Sequence, residues 1–166
     1  MIYFSSISYR YSSIYIVKEN ESVIKVFLNN NSFSRFYKEN VIKRDDLKLQ
    51  DEVSQIIEYL NGKRKKFNIR YKFSGTEFQK LVWQKILDTG YAEVKRYSDI
   101  AKEINKPLAT RAVGNACRKN ALPIIIPCHR VVSANDLGGF FGQDTEFREI
   151  KSYLINLERA YLHRPF

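Results

Sequence analysis

Residues 123–127 read Pro-Ile-Ile-Ile-Pro, and Cys128 and His129 stand directly behind them. Each proline fixes its own φ and removes a backbone donor, so no helix runs through the segment. Three β-branched residues between two prolines predict a short buried strand. Any fold of this chain must therefore deliver a thiol and an imidazole from the end of a rigid apolar piece of backbone. Attack by cysteine needs thiolate, and a free thiol, with a pKa of about 8.5, is mostly protonated at neutral pH. His129 is the nearest general base. Neighbouring residues of a strand point to opposite faces, so the pair must sit in a turn or communicate through a water.

A base histidine also needs an acceptor on its second nitrogen. The last helical pattern, with Phe147, Ile150, Leu154 and Leu157 on its apolar face, carries Glu158 near its end. A carboxylate there opposes the helix dipole, although by spacing alone Glu158 reads as a surface residue. Cys117, the other cysteine, reads as a small core residue.

The preceding sequence divides in two. Residues 12–17 and 22–28 are β-rich around the polar Lys18-Glu19-Asn20-Glu21, which predicts a hairpin. Residues 29–46 read as irregular and polar. Val53, Ile56, Ile57 and Leu60 recur at helical spacing up to a stop at Asn61-Gly62. From Ser74 the pattern turns helical, with Ser74-Gly-Thr-Glu77 in capping-box form ahead of Phe78, Leu81, Val82 and Ile86. Ile100, Ala101 and Ile104 predict a short helix. After a turn at Asn105-Lys106-Pro107, a second helix is expected through Leu108, Ala112 and Val113, which makes a helix-turn-helix. The expected fold is α+β, with a small N-terminal α/β domain over 1–72 and a mainly helical C-terminal domain over 73–166 that carries the active site.

The 166 residues carry a net charge of +10, which points to a polyanionic partner. Between Glu93 and Arg130 eight basic residues face three acidic ones, so the charge gathers around the helix pair. The second helix is smooth: Ala109, Ala112, Gly114 and Ala116 are small, and glycine is a poor choice for a helix interior. A helix reading the major groove normally presents long polar side chains; this one suits close approach, as in a narrow minor groove, with Arg111 as its large polar residue. Two cysteines make no disulfide framework, no run approaches the roughly 20 apolar residues of a membrane span, and the start lacks a leader pattern. These features predict a cytoplasmic protein.

Thr76-x-Phe78-Gln79-x-x-Val82-Trp83, Tyr97, Arg111-Ala-Val-Gly114, Asn120 and Ile126-Pro-Cys-His-Arg-Val-Val132 together resemble, in order, the O6-alkylguanine-DNA alkyltransferases. The resemblance covers most of 74–160. It implies a ribonuclease-H-like N-terminal domain, binding of double-stranded DNA by a monomer, flipping of the damaged base, and irreversible transfer of the alkyl group to Cys128 without cofactor. Some members of the family hold a metal, but with His129 committed and His163 alone near the end this sequence predicts none. O4-alkylthymine is a further substrate the resemblance admits. By the same resemblance His129 is the base, acting through a water, and Glu158 orients it. Tyr97 donates a hydrogen bond to guanine, and Asn120 holds the active-site turn. Arg111, with Ala109, Thr110, Ala112, Gly114 and Arg118, meets DNA. Val131, Phe140, Phe141 and Lys151 line the substrate pocket. The loop Gly138-Gly-Phe-Phe-Gly142 departs from the family pattern, which carries a hydroxyl there.

Two rivals share parts of this pattern. A helix-turn-helix regulator or lesion sensor needs no reactive cysteine, and a Cys–His hydrolase turns over repeatedly but leaves the basic helix pair unexplained.

Overall fold

Three strands open the chain: β1 (Ile2–Tyr9), β2 (Ser12–Glu19) and β3 (Ser22–Phe27). They pair antiparallel in sequence order, and Asn20, at φ 52°, allows the tight β2–β3 turn. The computed structural model describes residues 1–10, 12–134 and 145–163. They form a mixed α+β structure in two compact units, Met1–Phe73 with Ala121–Pro123, and Ser74–Asn120 with Ile124–Phe166.

In the first unit, residues 29–46 are more ordered than their polarity predicts. They form α1 (Asn30–Glu39) and β4 (Ile42–Arg44), which adds to β1 in parallel and gives the sheet order β3-β2-β1-β4. The Asn29 side chain caps α1 by accepting from the Ser32 amide at 2.8 Å. Phe33 then drives the helix onto the sheet, its ring 3.8 Å from that of Tyr15 and 4.9 Å from that of Phe4. Phe36 packs beside it, its ring 5.3 Å from that of Phe27, so the anchors stand at helical spacing but span less than two turns. The next helix, α2 (Gln50–Leu60), ends at Asn61 with Gly62 at φ 69°, where the sequence predicts its stop.

In the second unit, α3 (Glu77–Leu87) is capped by Thr76 and Gln79 in a reciprocal box, two residues beyond the expected Ser74–Glu77 pair. The cap is Thr76 because its side chain reaches the Gln79 amide while Gln79 reaches back to the Thr76 amide. Val82, Trp83 and Ile86 are buried and Leu81 is exposed. The pair α4 (Tyr97–Glu103) and α5 (Thr110–Arg118) follows. Leu108 lies outside α5, in the turn before it, and is fully exposed where an apolar helix face was expected. Residues 124–126 are not a strand: Ile124 takes φ 74° and the segment turns before Pro127. All three isoleucines are nonetheless buried, so the apolar frame forms without a sheet partner. Val131–Val132 (β6) pairs in parallel with Lys95–Arg96 (β5), and α6 (Thr145–Tyr161) completes the unit. Among the described residues no helix is long and apolar enough to cross a membrane.

Candidate active site

Cys128–Arg130 form a single 3-10 turn, closed by the Arg130 amide donating to the Pro127 carbonyl at 2.9 Å. This turn resolves the adjacency of Cys128 and His129: successive side chains leave it in different directions, toward different partners. All three residues are buried.

Cys128 Sγ accepts from the Asn120 side-chain amide at 2.9 Å, and the same nitrogen lies 2.9 Å from the Ile126 carbonyl. The Asn120 amide donates to the Cys117 carbonyl at 3.2 Å, so one asparagine joins the end of α5 to the turn carrying the thiol. Burial pushes the Cys128 thiol pKa well up. The neighbouring Cys117 adds to this through a hydrogen bond and its charge, whereas Asn120 and Lys151 act in the opposite sense. Cys117 is fully buried on α5, as a small core residue should be, and it also faces the nucleophile.

His129 Nε2 lies 2.7 Å from Glu158 Oε1. Glu158 is 1% exposed, so it is no surface residue; α6 places it one helical turn beyond Leu154 and against the 3-10 turn. Burial opposes its ionisation, yet the hydrogen bonds and charges of His129 and Arg130 outweigh it and hold the carboxyl at about 2. Burial also lowers the His129 pKa, against the pull of Glu158. The ring is therefore neutral at pH 7. Because an ionised carboxylate only accepts, Nε2 carries the proton and Nδ1 bears the lone pair.

Sequence reasoning missed Arg130 as a member of this cluster. Its Nε donates to Glu158 Oε2 at 2.9 Å, one terminal nitrogen to Oε1 at 3.0 Å, and Nη1 to the Thr89 carbonyl at 2.7 Å. The Ala92 amide fills Glu158 Oε2 further at 2.9 Å. The signal for Arg130 was its own apolar surroundings, since an arginine between buried residues needs a buried anion.

Tyr97 starts α4 straight after Arg96, which pairs with Val132 in the β5–β6 ladder. Burial raises its hydroxyl pKa, with the charges of Cys117 and Cys128 adding, so the phenol stays protonated. Lys151, buried on α6, donates to the Val131 carbonyl at 2.6 Å and lies 3.5 Å from the Tyr97 hydroxyl. Phe140 and Phe141 lie outside the described residues.

The face of α5 is divided. Val113, Ala116 and Cys117 are buried, and the Ala116 carbonyl accepts from the Trp83 indole at 2.8 Å. Thr110, Arg111, Ala112 and Arg118 are exposed, while Ala109 and Gly114 are half-buried. A Cβ added at Gly114 would meet nothing within 4 Å, so no packing inside the protein demands a glycine there. Among the described residues no group of three or more His, Cys, Asp or Glu is placed to hold a metal ion.

Comparison with known proteins gives this arrangement a family. The DNA-binding domain of 6-O-methylguanine DNA methyltransferase matches residues 77–160. The constitutive methylated-DNA–protein-cysteine methyltransferase of Bacillus subtilis is 35% identical over 96% of both chains. A crystal structure of Mycobacterium tuberculosis O6-methylguanine methyltransferase superposes with a TM-score of 0.83 at 27% identity, covering 99% of this chain and 96% of that one. The Mycobacterium tuberculosis protein in complex with DNA gives 0.80 at 27% identity, covering 96% and 94%. With these likenesses spanning nearly its whole length, the chain belongs to the methylated-DNA–protein-cysteine methyltransferase family.

Proposed function

We propose that this protein repairs DNA by moving an alkyl group from O6 of guanine onto Cys128, once per molecule. The observation that carries the reading is a buried thiol beside a neutral histidine whose Nε2–H is fixed by a fully bonded carboxylate. A thiol with its pKa raised is unreactive until a base takes its proton. Nδ1 of His129 is that base, through a bridging water, and Glu158 holds the ring and stabilises the imidazolium. The Sγ–carbon bond forms as the carbon–O6 bond breaks. The bonding pair stays on guanine, whose gain of one proton balances the one lost by Cys128. A thioether has no leaving path back to thiol, so the reaction stops at one turnover.

Tyr97 is read as the donor to the leaving base: its hydroxyl stays protonated, and Lys151 beside it favours charge moving onto guanine. Asn120 holds the thiol's turn. Val131 and Lys151 bound the pocket, and Phe140 and Phe141 are assigned to it from the sequence alone. The helix pair α4–α5 is read as a helix-turn-helix lying along the minor groove. Arg111 fills the space of the flipped nucleotide, and Ala109, Thr110, Ala112, Gly114 and Arg118 lie along the duplex. The sheet order β3-β2-β1-β4, with β4 parallel, supports a ribonuclease-H-like first unit.

Gly114 provides the test of the DNA reading. Gly114→Ala should raise stability by about 0.5–1 kcal/mol, because alanine is the better helix former and has room. It should at the same time weaken duplex affinity while leaving reaction with free O6-benzylguanine unchanged. Arg111→Ala should likewise harm duplex repair more than the free-base reaction. Equal losses on both substrates, or unchanged duplex affinity in Gly114→Ala, would remove α5 from the DNA interface.

A further inference from the structure

Leu108 is 100% exposed. Its position is rigid nonetheless. The Ala109 amide donates to the Lys106 carbonyl at 2.9 Å, closing a turn with Pro107 and Leu108 as its central pair, and Pro107 fixes the first φ. The Lys106 amide is tied to the Ala101 carbonyl at 2.8 Å, which anchors the turn to the end of α4. Leu108 does not take a positive φ, so the turn accepts most residues there and local geometry does not ask for leucine. Nothing inside the fold asks for it either.

The surroundings decide what it meets. No Asp or Glu occurs from Ile104 to Asn135, and Lys106, Arg111, Arg118 and Lys119 are exposed within that stretch. An exposed apolar tip on a stretch of chain that carries cations and no carboxylate fits a partner with an anionic rim and an apolar interior. A DNA groove has that chemistry, with phosphates at its edges and stacked bases between.

We propose that Leu108 is an apolar wedge that enters the minor groove and packs against a base step flanking the displaced nucleotide. The inference rests on the reading that α5 faces DNA. A leucine inserted at a base step partly unstacks it and eases local distortion of the duplex. Held rigidly at the tip of a turn, it loses little freedom on binding. It would thereby add a grip beside Arg111 that is independent of salt.

The test uses the full chain in a Cys128→Ala background, so that transfer does not intervene, and an O6-methylguanine duplex with 2-aminopurine as the neighbouring base. Leu108→Ala should weaken binding about tenfold. The rise in 2-aminopurine fluorescence that accompanies binding should shrink, and Leu108→Met should restore both signals. The dependence of affinity on salt should keep its slope, whereas Arg111→Ala should reduce that slope by about one. With Cys128 intact, Leu108→Ala should react with free O6-benzylguanine at the parent rate. A Leu108→Ala protein that binds within twofold of its parent, with the same fluorescence change, overturns the wedge alone. A parent that does not bind the duplex overturns the DNA-facing reading of α5 beneath it.

Discussion

Among the described residues each unit buries one glutamate against a cation, and the two are finished differently. In the first unit Glu52 Oε1 meets Lys18 Nζ at 2.7 Å, and Oε2 is buried with no hydrogen-bond partner among the described residues. In the second, both oxygens of Glu158 are occupied by His129, Arg130 and the Ala92 amide. A half-satisfied buried carboxylate gains little over well-packed hydrophobic side chains and serves the scaffold at best. A fully satisfied one is a fixture, unable to rotate without losing several bonds together. Only the second kind can hold a histidine in one tautomer.

That contrast can be broken most forcefully at Glu158. Glu158→Ala should slow alkyl transfer about 100-fold or more, measured in a single turnover, because the base loses its orientation. It should also cost about 3–5 kcal/mol in denaturant unfolding, since Arg130 is left buried and unpaired. Glu158→Gln separates the two effects: it should slow the chemical step and leave duplex affinity intact. An unchanged transfer rate would reduce Glu158 to a structural residue.

Arg130→Met should act chiefly on stability. With one side of the ion pair removed, Glu158 keeps His129 and the Ala92 amide but loses its guanidinium, and about 3 kcal/mol should be lost. Transfer should fall less than in Glu158→Ala, because the contact between His129 and Glu158 survives. A larger kinetic loss than in Glu158→Ala would mean that the guanidinium acts on the substrate itself.

The pH profile sharpens the same comparison without mutation. Transfer requires neutral His129, and burial holds its pKa below the ordinary value of 6.5. The transfer rate should therefore stay flat as pH falls through 6.5 and decline only further down, once the ring gains its proton. A decline centred above 6.5 would mean that Glu158 raises the histidine more than burial lowers it.

The smallest effect is expected in the first unit. Lys18→Met combined with Glu52→Leu replaces the half-satisfied pair by apolar groups, and should change stability by no more than about 1 kcal/mol while leaving transfer unchanged. Collapse of transfer in this double variant would erase the distinction between scaffold and site.

What the sequence discloses here follows from how local each feature is. Cys128, His129 and their proline-bounded apolar frame are contiguous, so their chemistry is readable without a fold. Helix α3 shows itself by Val82 and Ile86 at helical spacing, and α2 by an apolar spacing that ends at Asn61-Gly62, although of Val53, Ile56, Ile57 and Leu60 only Ile56 is buried and Ile57 is exposed. Helix α1 does not show itself, because its stripe of Phe33, Phe36 and Tyr37 is short and set among polar residues. Isoleucines 124–126 imitate a strand, because burial and β-branching are shared by strands and buried turns alike. The bond between Arg130 and Glu158 spans 28 residues, and no spacing rule reaches across it. Leu108 reads as part of the second helix because it stands at helical spacing from Ala112, whereas it lies in the turn before α5 and faces solvent.

The most direct measurement is the intact mass of the protein after incubation with duplex DNA containing O6-methylguanine, followed by peptide mapping. The account predicts a gain of one methyl group, confined to Cys128, that saturates at one per molecule and is absent in Cys128→Ala. A protein that binds the duplex tightly yet gains no mass, or carries the methyl on Cys117, would contradict it.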